Sequence, residues 1–427
     1  MKVISKKNSI LQNSIWLFVL QVFNTVLPLL TIPYITRVLG SSSFGSFSLA
    51  LNWVLYFQVI VEYGFAFWGA RKVATVSKRQ LQKIFSQILT ARLSLLIVTF
   101  FIMMLICFSN GTSEMPIICM IILFTMVTGV AFQLTWLFQG LQDMKYITII
   151  NATSRLISVI LIVLLIKESS DVFLYSFLYS CTYIISAIAG LVIANKRYGL
   201  RLLLCGFNDA KIAILEAWPL FISQAMSKVL SGFGVTVLGF TVSNSEIGIY
   251  SALYKIPYAM ALFFNPISQA IYPDVSIAFS RSKAEGLNRI KRIAWMVLPI
   301  FIMFALITII FNFQITDVLF GREYSKASKL LIPLSLWFVF SIINNFLGIQ
   351  TLVASGNQKD YSNSFILSAI LSVLLCVVLG KLFGSYGIAF ATLLSECMLT
   401  FILLYCVKKR MMSKSVQEAN KKHYISS

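Results

Sequence analysis

Apolar residues run along this chain in long blocks, with only short polar or glycine-bearing gaps between them. Leu95–Phe108, Ile117–Val127 and Ile366–Leu379 carry almost no charge and are too long for the core helices of a small domain. A helix needs about 20 apolar residues to cross hydrocarbon. The pattern predicts twelve such helices, near 14–36, 44–67, 85–108, 116–139, 147–167, 172–194, 212–241, 248–273, 293–313, 330–353, 363–383 and 386–407. Every backbone amide in lipid must be bonded within its own segment, so the expected class is an all-α membrane protein.

The polar positions within the blocks repeat. A shift of 203 residues places Gln21 on Gln224, Asn24 on Ser227, Gly45 on Gly248, Phe47 on Tyr250 and Ser48 on Ser251, and "GLQDMKY" resembles "GNQKDY" further on. Six spans per repeat give both halves the same orientation, which is a transporter architecture with its site between the halves near mid-membrane. The expected organisation is two pseudo-symmetric six-helix bundles, 1–194 and 212–407, around a central cavity. A basic linker (195–211) joins them and a basic tail (408–427) follows.

Four cations fall inside predicted spans: Arg92, Arg155, Lys228 and Lys255. Each costs about 2.5–3.5 kcal/mol at the bilayer centre on insertion scales, so each needs water, a partner or a route to the interface. Helical spacing gives them company. Thr148, Asn151, Arg155 and Ser158 share one face, as do Ser251, Lys255, Tyr258, Asn265 and Gln269. Gln21, Asn24 and Thr25 line up in the first span, Ser48, Asn52 and Tyr56 in the second, Ser341, Asn345 and Gly348 in the tenth, and Ser223, Gln224, Ser227 and Ser231 surround Lys228. Such stripes suit the lining of a wet cavity, or hydrogen bonding between helices. Gln21, Asn24, Asn52, Asn265, Gln269 and Asn345 are the candidate polar lining. Glu62 and Glu396 are the candidate ion-coupling carboxylates. Pro28, Pro33 and Pro257 each remove a helix hydrogen bond and mark expected hinges.

Composition agrees with the pattern: 58% of residues are hydrophobic and 12% charged, against roughly 25% charged in soluble domains. The net charge of +20 would suit a nucleic-acid partner, but its placement points elsewhere. With the N-terminus inside, 25 of the 35 Lys and Arg fall in inner segments and 6 in outer loops, which is the positive-inside asymmetry and sets both termini in the cytoplasm. The first apolar run is too long for a cleavable signal and reads as an uncleaved anchor. None of the seven cysteines lies in an outer loop, so no disulfide framework is expected. Asn110-Gly-Thr fits a glycosylation sequon, itself a weak pattern. The only histidine, His423, is in the tail, and no paired carboxylates or metal-ligand cluster emerges. Neither a cofactor nor an enzyme is expected.

Several motifs, in order, resemble one family. "LPLLTIPYITRVLGSSSFGSFSLA" is similar to the first-span signature of the O-antigen, or Wzx-type, polysaccharide exporters. "VEYGFAFWGARKV", "WLFQGLQDM", "IGIYSALYKIP" with "NPISQAIYP", and "LFGSYGIAFATLLSE" resemble later signatures, over roughly residues 10–407. Arg37, Gly40, Gly45 and Glu62 fall within the matched motifs. The family sits in one superfamily with multidrug and toxin extrusion transporters and lipid II flippases. The resemblance implies transfer of an undecaprenyl-diphosphate-linked oligosaccharide from the inner to the outer leaflet of the bacterial inner membrane. It also implies a polysaccharide polymerase and a chain-length regulator as partners. The alternatives are a drug–cation antiporter of the same fold, which would want deep carboxylates, and a membrane-embedded polymerase or glycosyltransferase.

Overall fold

The computed structural model describes residues 2–109 and 114–425, with side chains placed from 13 to 410 except at 14, 17, 78, 79 and 109–113. The Asn110 sequon and the side chain of His423 lie outside the described residues. The described chain is helical throughout and contains no strand. In order come α1 (Lys2–Glu62), α2 (Phe65–Thr75), α3 (Lys78–Ser109), α4 (Glu114–Phe132), α5 (Thr135–Gly140), α6 (Met144–Leu165), α7 (Val172–Tyr198), α8 (Phe207–Thr241) and α9 (Asn244–Arg281). They are followed by α10 (Lys283–Ile310), α11 (Asn312–Phe320), α12 (Arg322–Ser325), α13 (Leu331–Leu347) and α14 (Gln358–Ile425), with a π-turn at Gly348–Val353.

Among the described residues, ten segments are long and apolar enough to cross a membrane. Two of these, of 58 and 53 residues, would as straight helices reach about 80 Å or more, far beyond the roughly 30 Å of hydrocarbon. Each is two helices joined at a glycine: Gly40 (φ 71°, ψ 174°) in α1 and Gly384 (φ 55°, ψ −132°) in α14. Only glycine adopts these angles cheaply. Both breaks fall in gaps of the apolar pattern, so the twelve expected spans are present.

Pro28 and Pro33 do not break α1, whose backbone stays helical through both. Hydroxyls beside the prolines add side-chain bonds to the same stretch of backbone. The Thr31 hydroxyl donates to the Leu27 carbonyl at 3.0 Å and Thr36 to the Ile32 carbonyl at 2.9 Å. Other ends are closed by named groups. Tyr34 Oη donates to the Ile166 carbonyl at 2.7 Å, just past α6. Gly199 (φ 69°) ends α7 in the left-handed conformation. Ser282 Oγ accepts the Glu285 N–H at 3.0 Å to start α10.

The chain forms two compact units. One runs to Gly239 and includes Ser243–Gly248; the other comprises Phe240–Val242 and Ile249 onward. α8 belongs by contact to the first. Glu216 Oε2 meets Lys72 Nζ at 2.7 Å and accepts from Trp68 Nε1 at 3.0 Å, and Phe221 stacks on Tyr63 with centroids 4.4 Å apart. The core of this unit gathers Phe65, Phe85, Ile88, Trp136, Leu137 and Phe138. The second unit packs Phe264, Phe301, Phe338, Ile342 and Phe346. Ile97, Phe101, Leu105 and Phe108 on α3, and Met296, Ile300, Met303, Ile307 and Ile310 on α10, are exposed along one helical face each. Faces of this kind suit acyl chains.

Two repeat-related features recur. The positions matched by the 203-residue shift, Gly45 and Gly248, meet backbone to backbone within the first unit. A Cβ on Gly45 would lie 1.7 Å from the Asn244 carbonyl oxygen, and one on Gly248 2.0 Å from that of Ser41. Ser41 and Ser245 share a hydroxyl hydrogen bond beside them. The two similar loop motifs each contain an aspartate paired with an arginine. Asp143 pairs with Arg197 at 3.9 Å and accepts from the Tyr198 hydroxyl. Asp360 takes both Arg410 Nε at 2.5 Å and Nη2 at 3.0 Å.

Candidate functional site

Within the first unit the spans place three cations in different settings. Arg92 is 2% exposed. Its Nη1 donates to the Gln133 carbonyl at 2.8 Å and the Val130 carbonyl at 3.2 Å, at the joint where α4 stops and α5 begins. A helix end leaves carbonyls without intrahelical donors, and Arg92 supplies them, so its charge is spent on the scaffold. Arg92→Ala takes the donor from the Gln133 carbonyl, at about 1–3 kcal/mol, while the Val130 carbonyl keeps the Gln133 N–H at 3.1 Å. The variant's melting temperature in detergent is expected to fall well below that of the wild type, with Arg92→Lys between them.

Arg155, on α6, is half-buried. Its Nη1 reaches the Asn24 carbonyl at 3.4 Å. That carbonyl is the one Pro28 leaves open, because proline has no N–H to offer four residues back. The guanidinium is also within electrostatic range of Tyr179 and Tyr183. The rest of its expected stripe is engaged in packing. Thr148 donates to the Trp16 carbonyl at 2.8 Å, Asn151 Oδ1 accepts from Gln133 and Ser186 at 3.2 Å each, and Ser158 accepts from Thr182 at 2.8 Å.

Lys228, on α8, is half-buried, and its ammonium has no hydrogen-bond or ion-pair partner among the described residues. Ser223, Ser227 and Ser231 beside it are exposed, and Gln224 is half-buried. Asn52 is tied into packing: its Nδ2 donates to Thr236 Oγ1 at 2.9 Å, and Tyr56 Oη shares that hydroxyl at 2.8 Å. Gly232 makes room, since a Cβ there would sit 2.5 Å from Asn52 Oδ1. Gln21 and Asn24 are half-buried on α1. Glu62 is half-buried at the end of α1, within electrostatic range of Arg92.

The second unit carries Lys255, half-buried on α9, and Asn265 and Gln269, exposed on the same helical face. Pro257 lies inside the helix one turn on from Leu253, whose carbonyl it leaves open. Asn345 is drawn to α9, its Oδ1 accepting from Ser268 Oγ at 2.8 Å, while Gln350 Nε2 donates to the Ser268 carbonyl at 2.9 Å. Glu396 is joined by Asn344, which lies outside the predicted polar stripes. Asn344 Nδ2 donates to Glu396 Oε2 at 2.5 Å, and its Oδ1 accepts from Thr400 Oγ1 at 2.7 Å. Glu396 and Thr400 stand one turn apart, the signal that could have pointed to a shared polar partner.

Described residues that form twelve apolar helical spans and no strand, with cations inside those spans, define a multi-pass membrane protein. Residues 10–279 match the family model described as "Polysaccharide biosynthesis protein", and the chain belongs to that family. It is 29% identical over 412 residues to the "Putative O-antigen transporter" of Escherichia coli (strain K12), covering 95% of this chain and 98% of that one. It is 27% identical over 410 residues to the protein of the same description from Shigella dysenteriae, covering 93% and 100%. In fold it is similar to the lipid II flippase MurJ in an inward closed conformation (TM-score 0.72, 16% identity, 93% of this chain and 87% of that one). It is also similar to an inward-facing multidrug resistance MATE family transporter (TM-score 0.69, 12% identity, 91% and 95%).

Proposed function

We propose that this protein is a lipid-linked oligosaccharide flippase. It moves an undecaprenyl-diphosphate-linked O-antigen or similar repeat unit from the cytoplasmic to the periplasmic leaflet of the bacterial inner membrane by alternating access. Both termini are cytoplasmic, and the protein is a carrier rather than an enzyme. A polymerase and a chain-length regulator act on what it delivers. The observation that carries the reading is the Lys228 ammonium inside a membrane span, which has no hydrogen-bond or ion-pair partner among the described residues. A charge kept there without a protein partner calls for an anion or water, and a diphosphate is the anion that a polysaccharide carrier handles. Lys255 and Arg155 add positive charge on helices of their own, and cations raise the local concentration of anions. The E. coli and Shigella relatives, each a "Putative O-antigen transporter", agree with the reading.

Outward movement of an anion is favoured by an inside-negative potential, by about 2.3 kcal/mol per charge per 100 mV. Glu62 and Glu396 are the carboxylates placed to carry a coupled cation. A drug–cation antiporter would want several carboxylates deep in its spans, and of the candidate carboxylates only Glu396 lies mid-span. The test is the fate of the repeat unit in a strain lacking the gene. Flippase loss is expected to leave single lipid-linked units on the cytoplasmic leaflet, inaccessible to an external glycosidase until the membrane is opened. Single units exposed at the cell surface would instead indicate a polymerase and sink the proposal.

A further inference from the structure

The same nine-residue spacing occurs twice in the chain: "YSFLYSCTY" at 175–183 on α7 and "YSALYKIPY" at 250–258 on α9. Each places three tyrosines at i, i+4 and i+8, one above another on a helix. The rings do meet. Tyr175, Tyr179 and Tyr183 follow one another at 6.3 Å between centroids. Tyr250, Tyr254 and Tyr258 stack at 6.0 and 5.6 Å with interplanar angles of 15° and 26°. One ladder belongs to each compact unit.

Both ladders run from a closed end to an open one. Tyr175 is buried while Tyr179 and Tyr183 are half-buried; Tyr250 is buried, Tyr254 half-buried and Tyr258 40% exposed. Other rings brace the ladders, Phe47 lying 4.5 Å from Tyr175 at the closed end of the first and Trp337 5.3 Å from Tyr254, the middle ring of the second. Each open end has a cation beside it. Arg155 is within electrostatic range of Tyr179 and Tyr183. On α9, at 100° per residue, Tyr254, Tyr258, Lys255, Asn265 and Gln269 fall within an arc of about 100°. A ring serving only to fill the core would be covered at both ends. A ring facing lipid would not share its face with an ammonium, an amide and a second amide.

We propose that each tyrosine ladder is, within its own unit, a sugar-stacking face that takes pyranose rings of the cargo, with the cation on that ladder's own side, Arg155 or Lys255, meeting phosphate. The inference rests on the flippase reading above. A pyranose presents an apolar C–H face and a rim of hydroxyls. The electron-rich face of a phenol ring attracts those C–H groups. Anionic lipid diphosphate and neutral sugar are then recognised by adjacent but different side chains. Stepped rings spaced about a sugar apart tolerate different sequences of sugars, because stacking reads ring shape rather than hydroxyl pattern.

The test uses the full chain in lipid nanodiscs and two probes: the lipid-linked repeat unit extracted from the producing strain, and undecaprenyl diphosphate without sugar. Tyr183→Leu and Tyr258→Leu are each expected to lose about fivefold or more in affinity for the glycosylated lipid, the measure of one aromatic stack. Their affinity for undecaprenyl diphosphate should stay within about twofold, and Tyr183→Phe and Tyr258→Phe should bind both lipids nearly as the wild type does. Leucine variants that bind the glycosylated lipid normally, or that lose both lipids in equal measure, overturn the ladders while leaving the flippase reading in place. Wild-type protein that binds neither lipid removes the flippase reading itself. Tyr258 is the more exposed ring, so Tyr258→Leu carries the test should Tyr183→Leu fail to fold.

Discussion

Lys228→Ala combined with Lys255→Ala is expected to abolish surface polysaccharide in a strain that depends on this protein, with the variant still present in the membrane at wild-type level. Hydrogen bonds between a charged donor and phosphate are worth about 1.5–3 kcal/mol each, so losing two lowers the population of loaded carrier by roughly two to four powers of ten. Neither alanine opens a large hole, since both lysines are half-buried rather than enclosed. The double substitution Lys228→Arg with Lys255→Arg keeps both charges and is expected to retain most transport. The readout is polysaccharide on whole cells beside an immunoblot of the membrane fraction. Normal polysaccharide from the alanine double variant at native expression would refute a cationic hold on the cargo.

Gly45→Ala should give the largest loss of stability of any single methyl addition in the first unit. The added carbon would sit 1.7 Å from the Asn244 carbonyl oxygen and 2.8 Å from the Gly248 nitrogen, and backbone cannot rotate aside as a side chain can. Overpacking of this kind costs about 3 kcal/mol or more. Gly206→Ala is the control, because nothing lies within 4 Å of its added carbon. Thermal melting of the purified proteins separates the two: a large fall in midpoint for Gly45→Ala and almost none for Gly206→Ala. Equal midpoints would mean that α1 and the start of α9 do not cross this closely.

The span pattern was legible because lipid imposes a length as well as a composition. Even the two merged helices part at glycines inside the polar gaps. The polar stripes were less legible, and for a definite reason. Periodicity tells which side chains share a face, but not what that face meets. Thr148 and Ser158 share a face with Arg155, yet they are spent on Trp16 and Thr182. Asn52 looked like lining and is a rivet between α1 and α8. Asn344 was passed over for its neighbour Asn345, although it is Asn344 that holds Glu396. Arg92 shows the other blind spot. Its partners are main-chain carbonyls at a helix joint, and no side-chain pattern announces where a joint will leave its oxygens bare.

The missing N–H of Pro28 has one more effect. It gives Arg155 a resting place that is neutral, distant and easily surrendered, a single carbonyl at 3.4 Å. Under the proposed function, an arriving phosphate would draw the guanidinium off that oxygen, while the Thr148 hydroxyl on the Trp16 carbonyl keeps α6 tied to the first span.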